Sequence, residues 1–205
     1  MTGYIGYDYT LLHNRLLGLC RRLADEAGKD DSRDRGVAAL GAIVLADVAA
    51  EAAINHLVEV TFPPVDLRKR PEPQAWLHRM AHAHVTQFRP PRQRLKALAE
   101  LFGLSLSWEA DEPWRSLGDL HELRNALVHY PSTPVKSTSP STETFPRRRH
   151  LEPIARRLGT FSKFEAGGTW LDVFLNEQCA RWACDTANAV LKALDSPPWK
   201  GRALR

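Results

Sequence analysis

The chain has 205 residues, of which 43% are hydrophobic and 25% charged, and its formal net charge is +4. This length corresponds to one or one-and-a-half domains and suffices to bury a core without disulfides or metals. The composition excludes collagen, wholesale disorder and a membrane bundle, and no run of about 18 uncharged apolar residues occurs. The first ten residues lack the basic and apolar regions of a secretory signal. We therefore expect a cytoplasmic protein without membrane contact.

The cysteines support the same expectation. Cys20, Cys179 and Cys184 form an odd, sparse set without Cys-x-x-Cys spacing. Such a set is typical of reduced thiols in a cytoplasmic protein. We expect all three to be small apolar residues within helices.

Charge is unevenly distributed along the chain. Residues 66–96 carry a net charge of +6 and residues 136–163 a net charge of +5, whereas residues 97–135 carry −4. Basic segments attract phosphate polyanions through a salt-sensitive electrostatic term. They are equally consistent with solvated connections, so charge alone leaves contact with nucleic acid open.

The first half of the chain shows helical periodicity. Leucines recur at helical spacing over 9–27, and Gly28 can end that helix. A second, very apolar helix is predicted over 33–62, which should lie in the middle of a bundle. Its polar positions recur every four residues and form one stripe: Asp47, Glu51, Asn55 and Glu59.

Further helices are predicted over 74–88, 92–102, 113–129 and 170–195, with proline-rich breaks between several of them. Residues 131–150 combine a Ser/Thr/Pro-rich stretch with Arg147, Arg148 and Arg149, and we expect a long mobile basic loop there. The predicted fold class is all-α. The expected architecture is one domain over 1–205, an up-and-down helical bundle of about five to seven helices with a long insertion before the last helix.

The segment that indicates chemistry is LHELRNALVHYP, at 120–131. Asn125 and His129 are i, i+4 neighbours on one helix face, and the long side chain of Arg124 can reach the same side. A histidine can move a proton to or from a ribose hydroxyl or a leaving oxygen, and an arginine can stabilise charge on phosphoryl oxygens. An amide can bind phosphate or orient the imidazole. This set suits phosphodiester cleavage without metal, and a 2′-hydroxyl nucleophile would make the substrate RNA.

The same stretch resembles the HEPN superfamily, whose hallmark is Arg-x4-6-His at the end of a helix, often with Asn directly after the Arg. The resemblance implies a helical bundle that dimerises with two motifs facing each other, and a metal-independent endoribonuclease, often a toxin or antiviral effector. The segment AAEAAINHLVE, with Glu51 and Asn55, resembles the second helix of that family. Tyr130 directly follows the histidine, whereas some family members carry a tyrosine one position later.

Structural interpretations remain open for each candidate. Arg124 could pair with Glu51, Glu122 or Asp119, and His129 could act as a cation near a helix C-terminus. A second Arg-x4-His pair, Arg79 with His84, lacks the asparagine. His78 and His82 are one helical turn apart, but no carboxylate or cysteine lies nearby, so we expect no metal.

The sequence thus predicts a homodimeric, HEPN-like endoribonuclease with Arg124, Asn125 and His129 as catalytic residues. Glu51, Asn55 and Tyr130 would support them, and Arg147–Arg149 would contact RNA. No cofactor or metal is expected, and an antitoxin or regulatory protein is a further candidate partner. The alternative is a non-catalytic helical module that binds a partner protein, RNA or a nucleotide.

Overall fold

The computed structural model describes residues 9–29, 34–62, 72–87, 90–105, 107, 110–129, 151–165 and 169–199. Within these residues the protein is all-helical, with 81% of them in helices and no strand. The helices are α1 Tyr9–Ala27, α2 Arg35–Thr61, α3 Glu72–Thr86, α4 Pro91–Leu101, α5 Trp114–Val128, α6 Glu152–Arg157, α7 Phe161–Glu165, α8 Trp170–Phe174 and α9 Glu177–Leu194. The predicted loop at 131–150 lies outside the described residues.

Helix α2 lies at the centre, as its composition predicted, and packs mainly against α1 and α9 and also against α4 and α5. Alanines and one glycine permit the close approach of α1. A Cβ on Gly41 would lie only 2.8 Å from Cδ1 of Leu23. Among the described helices, α2 is the one long and apolar enough to cross a membrane by length and composition, a test that buried core helices also pass.

The buried side chains form two clusters. The first core joins α1, the N-terminal half of α2, α8 and α9, and it includes Leu120, Leu123 and Leu127 of α5. The second core joins the C-terminal half of α2 to α3, α4 and the C-terminal end of α9, and it includes Trp114 and Leu117 of α5. Helices α2, α5 and α9 therefore run through both cores, and the boundary along α2 falls between Ala46 and Ala50.

The predicted helix over 170–195 is wrong as a single element, because it breaks between α8 and α9. Asn176 begins α9 by accepting a hydrogen bond from the backbone N–H of Cys179 at 3.1 Å. Its amide also donates to the carbonyl oxygen of Val173 at 2.8 Å. Asparagine competes with regular helical hydrogen bonding in this way, which explains the break.

Helices α6 and α7 were not among the predicted elements. They have five or six residues each, too few for a clear periodic pattern. Leu151, Ile154 and Ala155 nevertheless lie buried in the first core. The segment after the predicted loop therefore contributes to the folded domain.

The expectation of three reduced thiols is wrong for two of them. Cys20 of α1 and Cys184 of α9 form a disulfide with their Cα atoms 6.0 Å apart. The packing of α1 against α9 brings together residues that are 164 positions apart, which sequence spacing could not indicate. Cys179 is a free, buried thiol, and burial raises its pKa to about 11. The expected cytoplasmic location loses the support that it drew from the cysteines.

Candidate functional site

Helix α5 presents the motif by burying one face. Leu117, Leu120, Leu123 and Leu127 are buried, as their spacing predicted, and they fix the rotation of the helix. His121, Arg124 and Asn125 are consequently only partly buried. The first two contact helix α2 through Asp47.

Arg124 is held on two sides. Its Nη1 donates a hydrogen bond to Oδ1 of Asn125 at 2.7 Å. Its Nε lies 3.6 Å from Oδ2 of Asp47, within ion-pair distance but too long for a hydrogen bond. The Arg124 side chain keeps 26% of its surface exposed, against 4% for Asp47. The guanidinium is therefore held by Asp47 and Asn125, and part of the Arg124 side chain is exposed to solvent.

Asp47 is the buried charge of the site. A buried carboxylate is costly unless opposite charges and hydrogen bonds compensate it. Besides Arg124, Asp47 accepts a hydrogen bond from Nδ1 of His121, which lies 3.3 Å from Oδ2 and 3.4 Å from Oδ1. This hydrogen bond and the negative charge of Asp47 raise the pKa of His121, although partial burial and Arg124 oppose the shift.

His129 is less constrained than the other motif residues. It is the first residue after α5, and its backbone N–H donates to the carbonyl oxygen of Asn125 at 2.9 Å. The residue is exposed, and its imidazole has no hydrogen bond or ion pair within the described part of the chain. The structure therefore brings Arg124 and Asn125 together and leaves the His129 ring on the surface beyond them.

The expected supporting residues take different positions. Asn55 accepts a hydrogen bond from Arg94, so it ties α2 to α4 rather than to the motif. Glu51 acts on the motif helix through its charge, which contributes to raising the pKa of His121. Tyr130 and Arg147–Arg149 lie outside the described residues.

The carboxylate that anchors Arg124 was not among the three that the sequence suggested. Asp119 pairs with Arg157 of α6, and Asp47 contacts Arg124 in place of Glu51 or Glu122. Asp47 stood in the predicted polar stripe of α2, but the stripe alone did not distinguish it from Glu51 and Asn55. The sequence indicated only weakly that His121 belongs to the site. This indication was its position one helical turn before Asn125.

Potential metal ligands do not cluster in the part of the chain that the structure describes. No group of three or more His, Cys, Asp or Glu side chains there could hold a metal ion. The rings of His78 and His82 instead pack edge-on against Phe62, with centroid distances of 5.6 and 5.4 Å.

No protein-family model, curated protein or solved structure matches the chain. The resemblance to the HEPN superfamily therefore depends on the residues of α2 and α5 themselves.

Proposed function

We propose that this protein is a HEPN-like, metal-independent endoribonuclease with the up-and-down bundle of that superfamily. The observation that supports the proposal is the anchoring of Arg124 by buried Asp47 and by Asn125, with His129 exposed at the end of the same helix. An arginine held in place pays less entropy when it binds a phosphate, so it can stabilise developing charge efficiently.

In this proposal Arg124 binds the phosphoryl oxygens and His129 removes the proton from the ribose 2′-hydroxyl. The 2′-oxygen attacks phosphorus and the 5′-oxygen leaves, which produces a 2′,3′-cyclic phosphate. Asn125 orients Arg124 through their hydrogen bond. The basic segments at 66–96 and 136–163 would attract the RNA backbone.

The proposed active species is a homodimer. A two-fold axis beside the C-terminal end of α5 would bring two motifs to one cleft and double the number of arginines and histidines there. Proteins of this kind act as toxins or antiviral defence effectors in the superfamily, and an antitoxin or regulatory protein would then control the activity. We propose the cytoplasm as its location.

The test is cleavage of total cellular RNA by the purified protein in EDTA, with the 3′ ends of the products identified chemically. Arg124→Ala and His129→Ala should each reduce cleavage by about 100-fold or more, since each removes a charge-stabilising or proton-transferring group. Glu122→Ala is the matched control, because Glu122 is an exposed residue of the same helix, one turn or more from its C-terminal end. Circular dichroism checks that every variant is folded.

Wild-type cleavage that yields cyclic-phosphate ends and disappears in both motif variants would support the proposal. Two results contradict it: no cleavage of any RNA in the pool by the wild type, or equal cleavage by wild type and both motif variants. The second result would indicate a contaminating nuclease.

A second candidate function is a non-catalytic module that binds a partner protein. It is favoured by α3, where Trp76, Leu77 and Met80 are each more than half exposed. Adjacent exposed apolar side chains are typical of interaction surfaces. In that case Arg124→Ala would lower stability by leaving Asp47 buried without one of its partners, and there would be no cleavage to lose.

A further inference from the structure

We propose that His121 is a second catalytic residue, the general acid that protonates the departing 5′-oxygen. This inference rests on the proposed nuclease function and adds a residue to the same site. Transfer of a phosphodiester without metal needs one group to take the 2′-hydroxyl proton and another to give a proton to the 5′-oxygen. The motif histidine lies at the end of α5, whereas His121 contacts the same carboxylate as the phosphate-binding Arg124.

The position of His121 suits the second role. His121 and Arg124 are i, i+3 neighbours, and both contact the same carboxylate oxygen, Oδ2 of Asp47, at 3.3 and 3.6 Å. A phosphate bound by Arg124 would therefore lie beside the imidazole. The His121 side chain is one third exposed, so a substrate can approach it.

The orientation of the ring also fits. Nδ1 faces Asp47, which fixes the ring and leaves Nε2 as the nitrogen for a substrate atom. The charged groups facing His121 are Asp47 and Glu51 of α2 and Arg124 of its own helix. The two carboxylates favour the imidazolium form that an acid requires, and Arg124 opposes it.

The 2′-oxygen gives its proton to the base and forms a bond to phosphorus. The bond between phosphorus and the 5′-oxygen breaks, and the proton on Nε2 of His121 passes to that oxygen. His129 lies eight residues further along, about 12 Å at 1.5 Å per residue, so it would reach the same phosphate from the second copy in the proposed dimer.

A modified leaving group provides the decisive test. RNA with sulfur in place of the bridging 5′-oxygen releases a thiolate, which needs no proton because a thiol is far more acidic than an alcohol; the cysteine thiol, for example, has a pKa of about 8.5. His121→Gln should reduce kcat on ordinary RNA by about 100-fold or more. On the sulfur-substituted RNA the same variant should come within about threefold of the wild type. His129→Ala, which removes the base, should stay defective on both substrates.

The dependence of kcat on pH gives an independent readout. Activity should fall as pH rises through the raised pKa of His121, because the acid loses its proton. Asp47→Asn should move this alkaline limb to lower pH, since the carboxylate that favours the imidazolium is gone. Glu51→Gln should move it in the same direction by less, which keeps the test valid if the Asp47 variant does not fold. Glu122→Gln, an exposed neighbour on α5, should leave it unchanged.

The outcomes separate the two proposals. If His121→Gln keeps wild-type kcat on ordinary RNA, or if sulfur substitution does not rescue it, His121 is not the acid. The nuclease function then stands as long as Arg124→Ala and His129→Ala abolish cleavage. If the wild type cleaves no RNA, both proposals are overturned.

Discussion

The first and second cores differ in whether a disulfide cross-links them. The first core is enclosed by α1, α2 and α9 and is cross-linked by the Cys20–Cys184 disulfide. The second core is closed on one side by α3, whose Trp76, Leu77 and Met80 are 53%, 60% and 53% exposed. The comparison indicates that the cross-linked first core is the more rigid support for the candidate site. The helical turns that carry Arg124 and Asn125 are anchored in the first core by Leu120, Leu123 and Leu127.

The largest expected effect is that of cavities in the two cores. Leu120→Ala and Leu98→Ala each truncate a fully buried leucine, the former in the first core and the latter in the second. Such changes lower the free energy of unfolding by about 2–5 kcal/mol, depending on how far the surroundings collapse into the cavity. We expect the larger loss for Leu120→Ala, because the cross-linked first core can relax less. Urea unfolding followed by circular dichroism measures both, and an equal or reversed order would contradict the expected effect of the cross-link.

Removal of the disulfide should have the next largest effect. Cys20→Ala with Cys184→Ala should lower the free energy of unfolding by about 2–4 kcal/mol, because the cross-link restricts the unfolded chain. Cys179→Ala is the control, a buried cysteine outside the cross-link. Guanidinium unfolding gives the stability. Amide hydrogen exchange should increase in α1 and α9 more than in α3. A uniform increase would show that the two cores unfold as one unit.

The smallest effect is expected on the outer face of α3, where Leu77 and Met80 are exposed. Leu77→Ser and Met80→Ser should each change the free energy of unfolding by no more than about 0.5 kcal/mol, as exposed substitutions do. Val85→Ser, on the same helix but fully buried, should be much more damaging. Thermal unfolding compares the three. A large loss in either exposed variant would mean that this face of α3 is covered in solution.

Prediction from the sequence succeeded where periodicity is strong and local. The helices around the leucines of α1, the alanines of α2 and the motif of α5 lie where the pattern placed them, within one or two residues. Prediction failed where a single capping residue or a distant contact decides the outcome. Asn176 divides the predicted last helix, and the partner of Cys20 lies 164 positions away.

The contacts of the candidate site also fall into a local group, which the sequence could indicate, and a distant group, which it could not. That the long side chain of Arg124 can reach toward Asn125 was accessible from the sequence, but their hydrogen bond was not predicted. The anchoring carboxylate was not, since Asp47, Glu51 and Asn55 share one stripe and only the packing of α5 on α2 selects among them. His121 enters the site for the same reason.

The sequence by itself determined that this protein is helical, where the helices α1 to α5 lie and which face of α5 is buried. These properties follow from local periodicity, which acts over a few turns of one helix. Only the tertiary structure decided which carboxylate Arg124 meets, which imidazole shares it and which cysteines pair. Those contacts depend on the relative rotation and displacement of whole helices, and the packing of all their buried side chains together sets these quantities.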